Sequence, residues 1–342
     1  MSLGSFLTDL SDKNTRSKSY VRCATTRNLS RTSMKDDEEY PCAHDIIPWL
    51  DEIQLRDDAE KDLYKYLYSN IMPFDVPNAE SLGFHGASTE DDLPDGLSNG
   101  IVGPTISFTL DAKQKYPWTS HVPKDIYFEY VASFCSVNEP RNNWRPLFHA
   151  VVEKIVQELT SGTGSKGGTP NVEQVVRAVN QNIWDRFHTE KEIFFQSGQT
   201  PLIYDPMSIL AYGYASCTGL SIFLVDALRA AGIPARLAGT PAWNGEEENG
   251  NHTWIEFFGS DSNWHIMESK PASGQDDKDL LDPCQWWFCN HERVSGTSFY
   301  AARLDRSLGN DNVFPLAWDM GNHDVIGEDR TSFMEDLCSQ CH

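Results

Sequence analysis

Cys217, His252 and Glu268 supply the three side-chain types of cysteine acyl-transfer chemistry. A thiolate attacks, an imidazole moves the proton, and a carboxylate holds that imidazole in one tautomer. Cys217 lies in Ser216-Cys217-Thr218-Gly219, just before an apolar run from Leu220 to Leu228 that predicts a buried helix. Ser216 is its candidate N-cap, and Gly232 with Pro234 forms its stop. A thiol in that first turn feels the positive end of the helix dipole and unpaired amide N–H groups, which lowers its pKa. The same N–H groups can receive an oxyanion. A free cysteine taken alone reads as a small buried hydrophobe, so the chemistry rests on its companions.

Those companions sit on a predicted hairpin. His252 to Phe258 alternates as a strand, with Thr253, Ile255 and Phe257 on one face and His252, Trp254 and Glu256 on the other. Residues 259–263 read as a turn, and Trp264 to Met267 as the returning strand. A hairpin centred near residues 260–261 brings residues 268–270 opposite His252, so Glu268 falls opposite or diagonal to the ring. The rival acid, Asp261, lies in the turn and is expected to be too far away. Asn251 is expected on the opposite strand face.

These residues resemble a known family. Ser216-Cys217-Thr218-Gly219 precedes a helix ending in Arg229-Ala-Ala-Gly-Ile-Pro-Ala-Arg236; His252-Thr-Trp-Ile-Glu256 follows, then Trp264 four residues before Glu268. Together they look like the core of the transglutaminase-like superfamily. The resemblance implies an α+β, papain-like fold: a helix with an N-terminal Cys packed on an antiparallel sheet carrying His and Glu, preceded by a mostly helical region. It maps the nucleophile to Cys217, the base to His252 and the third member to Glu268, where the family usually has Asp. Thr218 stands where animal transglutaminases carry Trp, which turns the expectation from cross-linking towards peptidase or amidase hydrolysis. Further segments, among them Pro117-Trp118, residues 137–145, 280–288 and 325–331, resemble bacterial members, so the likeness spans most of residues 115–334.

The rest of the chain bounds these expectations. A formal net charge of −22 argues against nucleic acid or an anionic membrane as the primary partner. No apolar run of membrane length and no secretion-type apolar segment is expected. Eight cysteines without a framework spacing are expected as reduced thiols in a cytoplasmic protein, with organellar import as the alternative. Residues 1–40, rich in Ser and Thr, are expected to be disordered; Asp9 and Asp12 argue against a transit peptide. Residues 41–160 read as mostly helical, with helices near Asp57–Asn70, Lys124–Phe134 and Leu147–Leu159. Residues 78–120 read as a long irregular connection, and 137–145 as an inter-helix turn held by Arg145. Residues 161–170 form a Gly/Ser/Thr linker, expected to separate the helical part from a core at 171–335. That core opens on the stripe Val172, Val175, Val176, Val179, Ile183 and Phe187. Trp184 on the same helix reads as core, with its indole N–H a secondary oxyanion candidate.

Other motifs carry less. Cys338-Ser-Gln-Cys341-His342 matches the c-type haem attachment pattern, but reads as a frayed tail, with a metal site from Cys338, Cys341 and His342 as the sharper alternative. Cys284 and Cys289 are too widely spaced to argue zinc alone. Glu246, Glu247 and Glu248 lack calcium-loop spacing and read as a solvated loop or a guard at the site's mouth. Asn251-His252-Thr253 is a formal glycosylation sequon, and a glycan there would block the base. No cofactor and no metal is expected; the expected partner is a protein or peptide substrate. The alternatives to a hydrolase are a protein transglutaminase with an amine acceptor, a non-catalytic interaction module of the same fold, and a metal-binding or redox protein using the extra cysteines.

Overall fold

Helix α1 (Asp58–Ser69) turns Leu63, Tyr64, Leu67 and Tyr68 inward at helical spacing, as the apolar pattern requires. It opens the described part of the computed structural model, which comprises residues 58–84, 100–161, 169–187, 191–273, 281–308 and 312–341. The expected disorder of residues 1–40 and the 161–170 linker, apart from its ends, lie outside the described residues.

Helix α2 (Val102–Lys115) overturns the long irregular connection expected over 78–120. Its buried stripe is Val102, Thr105, Ile106, Thr109 and Ala112. Two of these five are threonines, which a polarity reading assigns to loop. Pro104 stands in the first turn, where a missing N–H costs nothing. Helix α3 (Lys124–Tyr130) follows, and then a turn held more extensively than expected. Arg145 donates to the carbonyls of Val131 and Ser133, while Arg141 donates to those of Val137 and Glu139 and pairs with Asp75.

Helix α4 (Arg145–Ser161) buries Phe148, Val152, Ile155 and Val156. Helix α5 (Val172–Asn182) starts at a capping box between Asn171 and Gln174 and buries the predicted valine stripe. Both pack against the central helix. A short parallel pair, β1 (Phe194–Phe195) and β2 (Tyr214–Ala215), flanks helix α6 (Pro206–Tyr212). Then comes α7 (Cys217–Ala230), buried along nearly its whole length. The main sheet follows: β3 (Ala235–Thr240), β4 (His252–Phe258), β5 (Trp264–Met267), β6 (Tyr300–Arg303) and β7 (Ile326–Asp329), in the order β5-β4-β3-β6-β7 with every neighbour antiparallel. Helix α8 (Thr331–Cys338) closes the described chain. The fold is α+β, as expected.

Both faces of the sheet are covered, so β4 is buried at every position. Ile255 and Phe257 pack with Leu220, Phe223 and Leu224 of α7 and with α4 and α5. Trp254 faces a second cluster with Trp243, Trp286, Phe288, Phe299 and Met334. The alternation read from the sequence is thus a choice between two interiors rather than between core and solvent.

Polar ties hold the early helices to the sheet. Arg236 of β3 faces Glu256 of β4 in register, bonds it at 2.6 and 2.8 Å, and reaches Glu328 of β7 at 2.7 Å. The same guanidinium donates to the Tyr130 hydroxyl of α3 and lies 4.1 Å from the Trp264 ring centroid. Glu129 of α3 binds Arg303 at 2.9 and 3.0 Å, and Arg229 of α7 donates to the carbonyls of Tyr130 and Cys135. Trp118 Nε1 donates to the Ala231 carbonyl. The helices on either side of residues 162–168 therefore share one core. Limited proteolysis within 162–168 is expected to give two fragments that co-elute on gel filtration until denaturant is added. Two fragments eluting separately in native buffer would contradict this packing.

Candidate active site

The site assembles where α7, β4 and the end of β5 converge. Ser216 has extended backbone and accepts the Leu220 N–H through its carbonyl, so α7 begins at Cys217 as the sequence predicts. Its side chain makes no cap hydrogen bond; instead the Ser216 hydroxyl lies 2.6 Å from the Thr200 hydroxyl. Gly219 allows the first turn of α7 to press against Tyr204 and Ala215, because a Cβ there would meet the Ala215 Cβ at 2.7 Å. Thr218 and Ser221 fasten α7 to β4, through the Thr253 hydroxyl at 3.1 Å and the Thr253 carbonyl at 3.1 Å.

His252 opens β4 with its ring among Trp243, Trp254, Trp287 and Phe288; the Trp287 and Phe288 centroids lie 5.0 and 5.1 Å away. Its Nε2 is 2.8 Å from Oε1 of Glu268. The observed register pairs Ile255 with Met267. Continued one pair, it sets Glu268 across from Trp254 and diagonal to His252, the placement read from the hairpin. Glu268 lies just past the end of β5 rather than within it, and is 1% exposed. The rival acid Asp261 is exposed in the turn and pairs instead with His265 at 2.8 Å.

Cys217 and His252 line the same cavity, and the thiol feels the ring. With Nε2 given to Glu268, Nδ1 is the ring nitrogen left for the thiol. Burial raises the Cys217 pKa, but the hydrogen bond and charge of His252, with the backbone of Thr253 and Thr218, outweigh it and bring the pKa below the ordinary thiol value. Burial likewise lowers that of His252, yet its bonds to Cys217 and Glu268 raise it to about 9. Each group is among the causes of the other's shift, so the thiol and the ring titrate as a pair. Cys135, the other free cysteine among the described residues, is buried, and that burial pushes its thiol up.

Iodoacetamide at limiting concentration should therefore label Cys217 ahead of Cys135. Labelling should persist below the ordinary thiol range, because the imidazolium keeps the thiolate charged. Peptide mapping from pH 5 to 9 checks this; a Cys217 rate that rises only above pH 8 would show an unperturbed thiol.

The thiol and ring face a cavity of about 610 Å³, partly walled by Phe195, Thr200, Asn251, Trp287 and Trp318. Among its lining residues, only His252 carries an ionisable base or acid other than Cys217. Residues 153–269, which contain this constellation, match the family model of the transglutaminase-like superfamily. That stretch is similar to a transglutaminase-like core. A crystal structure of a protein from Cytophaga hutchinsonii, provisionally described as a cysteine protease, is similar at 12% identity and a TM-score of 0.32 over 63% of this chain and 66% of that one. No curated protein matches the sequence.

Around this site, several expectations change. Trp184 is fully buried and its Nε1 donates to the Asn180 carbonyl at 2.5 Å, so its indole does not reach the cavity. Four of the cysteines expected as reduced thiols are paired: Cys284 bonds Cys341, and Cys289 bonds Cys338, while Cys135 stays free. This removes the metal or haem reading of Cys338 and Cys341, and the cysteine usage no longer argues for a reducing compartment. No helix among the described residues is long and apolar enough to cross a membrane. Glu246, Glu247 and Glu248 are exposed, and the adjacent lining comes from Gly250 and Asn251.

Sequence reasoning missed Asn180. This residue is 1% exposed on α5; its Nδ2 donates to the Glu268 carbonyl at 2.9 Å, and its Oδ1 accepts the Lys270 N–H at 3.0 Å. It fixes the backbone that carries the carboxylate. The available signal was an amide next to Val179 in an otherwise apolar stripe. Also missed was the role of the bridges, which fasten residues 284–289, and with them Trp287 and Phe288, to α8 and the chain end. The double replacement Cys289→Ser with Cys338→Ser should lower stability by about 2–4 kcal/mol and slow the enzyme as the aromatic wall loosens. Denaturant titration and activity on the same sample check this; unchanged values for both would show that the wall stands without its staple.

Proposed function

We propose that this protein is a cysteine acyl-transfer enzyme working through a thioester, with water as the usual acceptor and a peptide or protein amide as substrate. One observation carries the reading: Cys217, at the start of α7, lines one cavity with His252, whose Nε2 lies 2.8 Å from the buried Glu268 carboxylate. The superfamily match supports a cysteine-based enzyme in general terms.

The chemistry follows from the groups present. The Cys217 thiolate forms a bond to the amide carbon, and the carbonyl π pair moves to oxygen. The first amide N–H groups of α7 have no helical acceptor and can receive that oxyanion. Collapse re-forms the carbonyl and breaks the C–N bond, while the His252 imidazolium gives its proton to the leaving nitrogen. The neutral imidazole then takes a proton from water, which attacks the thioester and frees Cys217. Glu268 keeps Nε2 protonated and stabilises the imidazolium. Thr218, in place of the Trp of animal cross-linking enzymes, favours water over an amine as acceptor.

A broad peptide library incubated with the enzyme, with and without a primary amine, separates the outcomes by mass spectrometry. Cleavage or deamidation that disappears in Cys217→Ala supports hydrolysis, and amine adducts that disappear in Cys217→Ala would assign transglutamination. Products that persist in Cys217→Ala, or no products at all, would sink the proposal.

A further inference from the structure

The two hydroxyls beside the nucleophile have one hydrogen more than their mutual bond consumes. Thr200 Oγ1 and Ser216 Oγ are 2.6 Å apart, and neither makes another side-chain hydrogen bond among the described residues. Each hydroxyl carries one hydrogen. One hydrogen closes the bond between them, so the other is left to point elsewhere. Both residues line the cavity together with Cys217. Ser216 is only 6% exposed and is held in the backbone that starts α7, whereas Thr200 is half-buried on the cavity side. As N-cap, Ser216 would ordinarily spend its oxygen on a helix N–H, and here it does not.

We propose that Thr200 is a catalytic residue: its hydroxyl accepts from Ser216 and donates its own hydrogen to the oxyanion formed at Cys217. Ser216 is then a positioning residue that fixes the rotamer of Thr200. The inference rests on the acyl-transfer reading above and names a side-chain donor that complements the helix N–H groups. A donor held in place before reaction acts on the charge that develops in the transition state, and it does so inside a walled cavity. It has nothing to stabilise in a simple alkylation of the thiolate, where no oxyanion forms.

That difference supplies the test. The probe is p-nitrophenyl acetate, followed by the burst of p-nitrophenolate and by the acetyl mass on the Cys217 peptide; iodoacetamide alkylation is measured in parallel. Thr200→Val, which keeps the shape and loses the hydroxyl, should slow acetylation about 100-fold, chiefly in the rate at saturation. Thr200→Ser should restore it, and Ser216→Ala should fall between. Alkylation should stay within about twofold of wild type in all three. Thr200→Val acetylating at the wild-type rate would overturn the proposal, as would alkylation falling in step with acetylation, or Thr200→Ser proving as slow as Thr200→Val. A wild-type protein that forms no acetyl adduct at Cys217 would remove the acyl-transfer reading itself, and this inference with it.

Discussion

Glu268→Gln is expected to lower the acylation rate by about two to four orders of magnitude while leaving the fold intact. The carboxylate is 1% exposed and its Oε1 lies 2.8 Å from His252 Nε2. An amide at that place carries no charge and can present a donor to Nε2, which selects the wrong imidazole tautomer. It also withdraws support from the imidazolium, so the Cys217 thiolate loses its partner at neutral pH. The backbone at residue 268 is held separately by Asn180, which is why the fold should survive. Asp261→Asn is the matched control: Asp261 pairs with His265 in an exposed turn and should leave the rate unchanged. Rates of substrate turnover and melting temperatures for the two variants check both statements. Equal rates for Glu268→Gln and wild type would mean that His252 works without an acid.

The second large effect concerns stability. Arg236 and Glu256 are each 1% exposed and pair directly across β3 and β4. Arg236→Met leaves the Glu256 carboxylate buried, with Arg330 at 2.9 Å as its remaining partner. Removing one member of a buried pair costs about 3–5 kcal/mol, because the other charge has already left water. That is a large part of an ordinary domain's stability. Adding Glu256→Gln to Arg236→Met should recover part of the loss, since the stranded charge is gone. Chemical denaturation of the single and double variants reads both numbers. A single variant within about 1 kcal/mol of wild type would show that water or Arg330 solvates Glu256 sufficiently.

What was legible in the sequence was local. The helix after Cys217 announces itself by an apolar run with a serine before it and Gly-Ile-Pro after it, and the hairpin fixes Glu268 relative to His252 by strand pairing over a short turn. Each depends on residues a few positions apart. The misses depend on distance. The partners in the two disulfides among the described residues are 57 and 49 residues apart, and no spacing rule joins them. Helix α2 hides its buried face behind Thr105 and Thr109. Asn180 acts on a backbone 88 residues away, and the Thr200–Ser216 pair joins a loop to a helix cap. A buried polar side chain gets its role from what folds onto it.

The acid limb and the alkaline limb of activity belong to the same pair. In the proposed mechanism His252 must be protonated to assist departure of the leaving group, and its pKa is raised to about 9, so activity should decline as pH climbs through that value. Acylation itself is the most direct point of attack. The protein is quenched in acid during turnover of an activated ester, and intact and peptide masses are read. A single acyl group on the Cys217 peptide, released by hydroxylamine and missing in Cys217→Ala, is the predicted result. An acyl group on another residue, or wild-type protein that turns the ester over with no adduct at Cys217, would contradict the account.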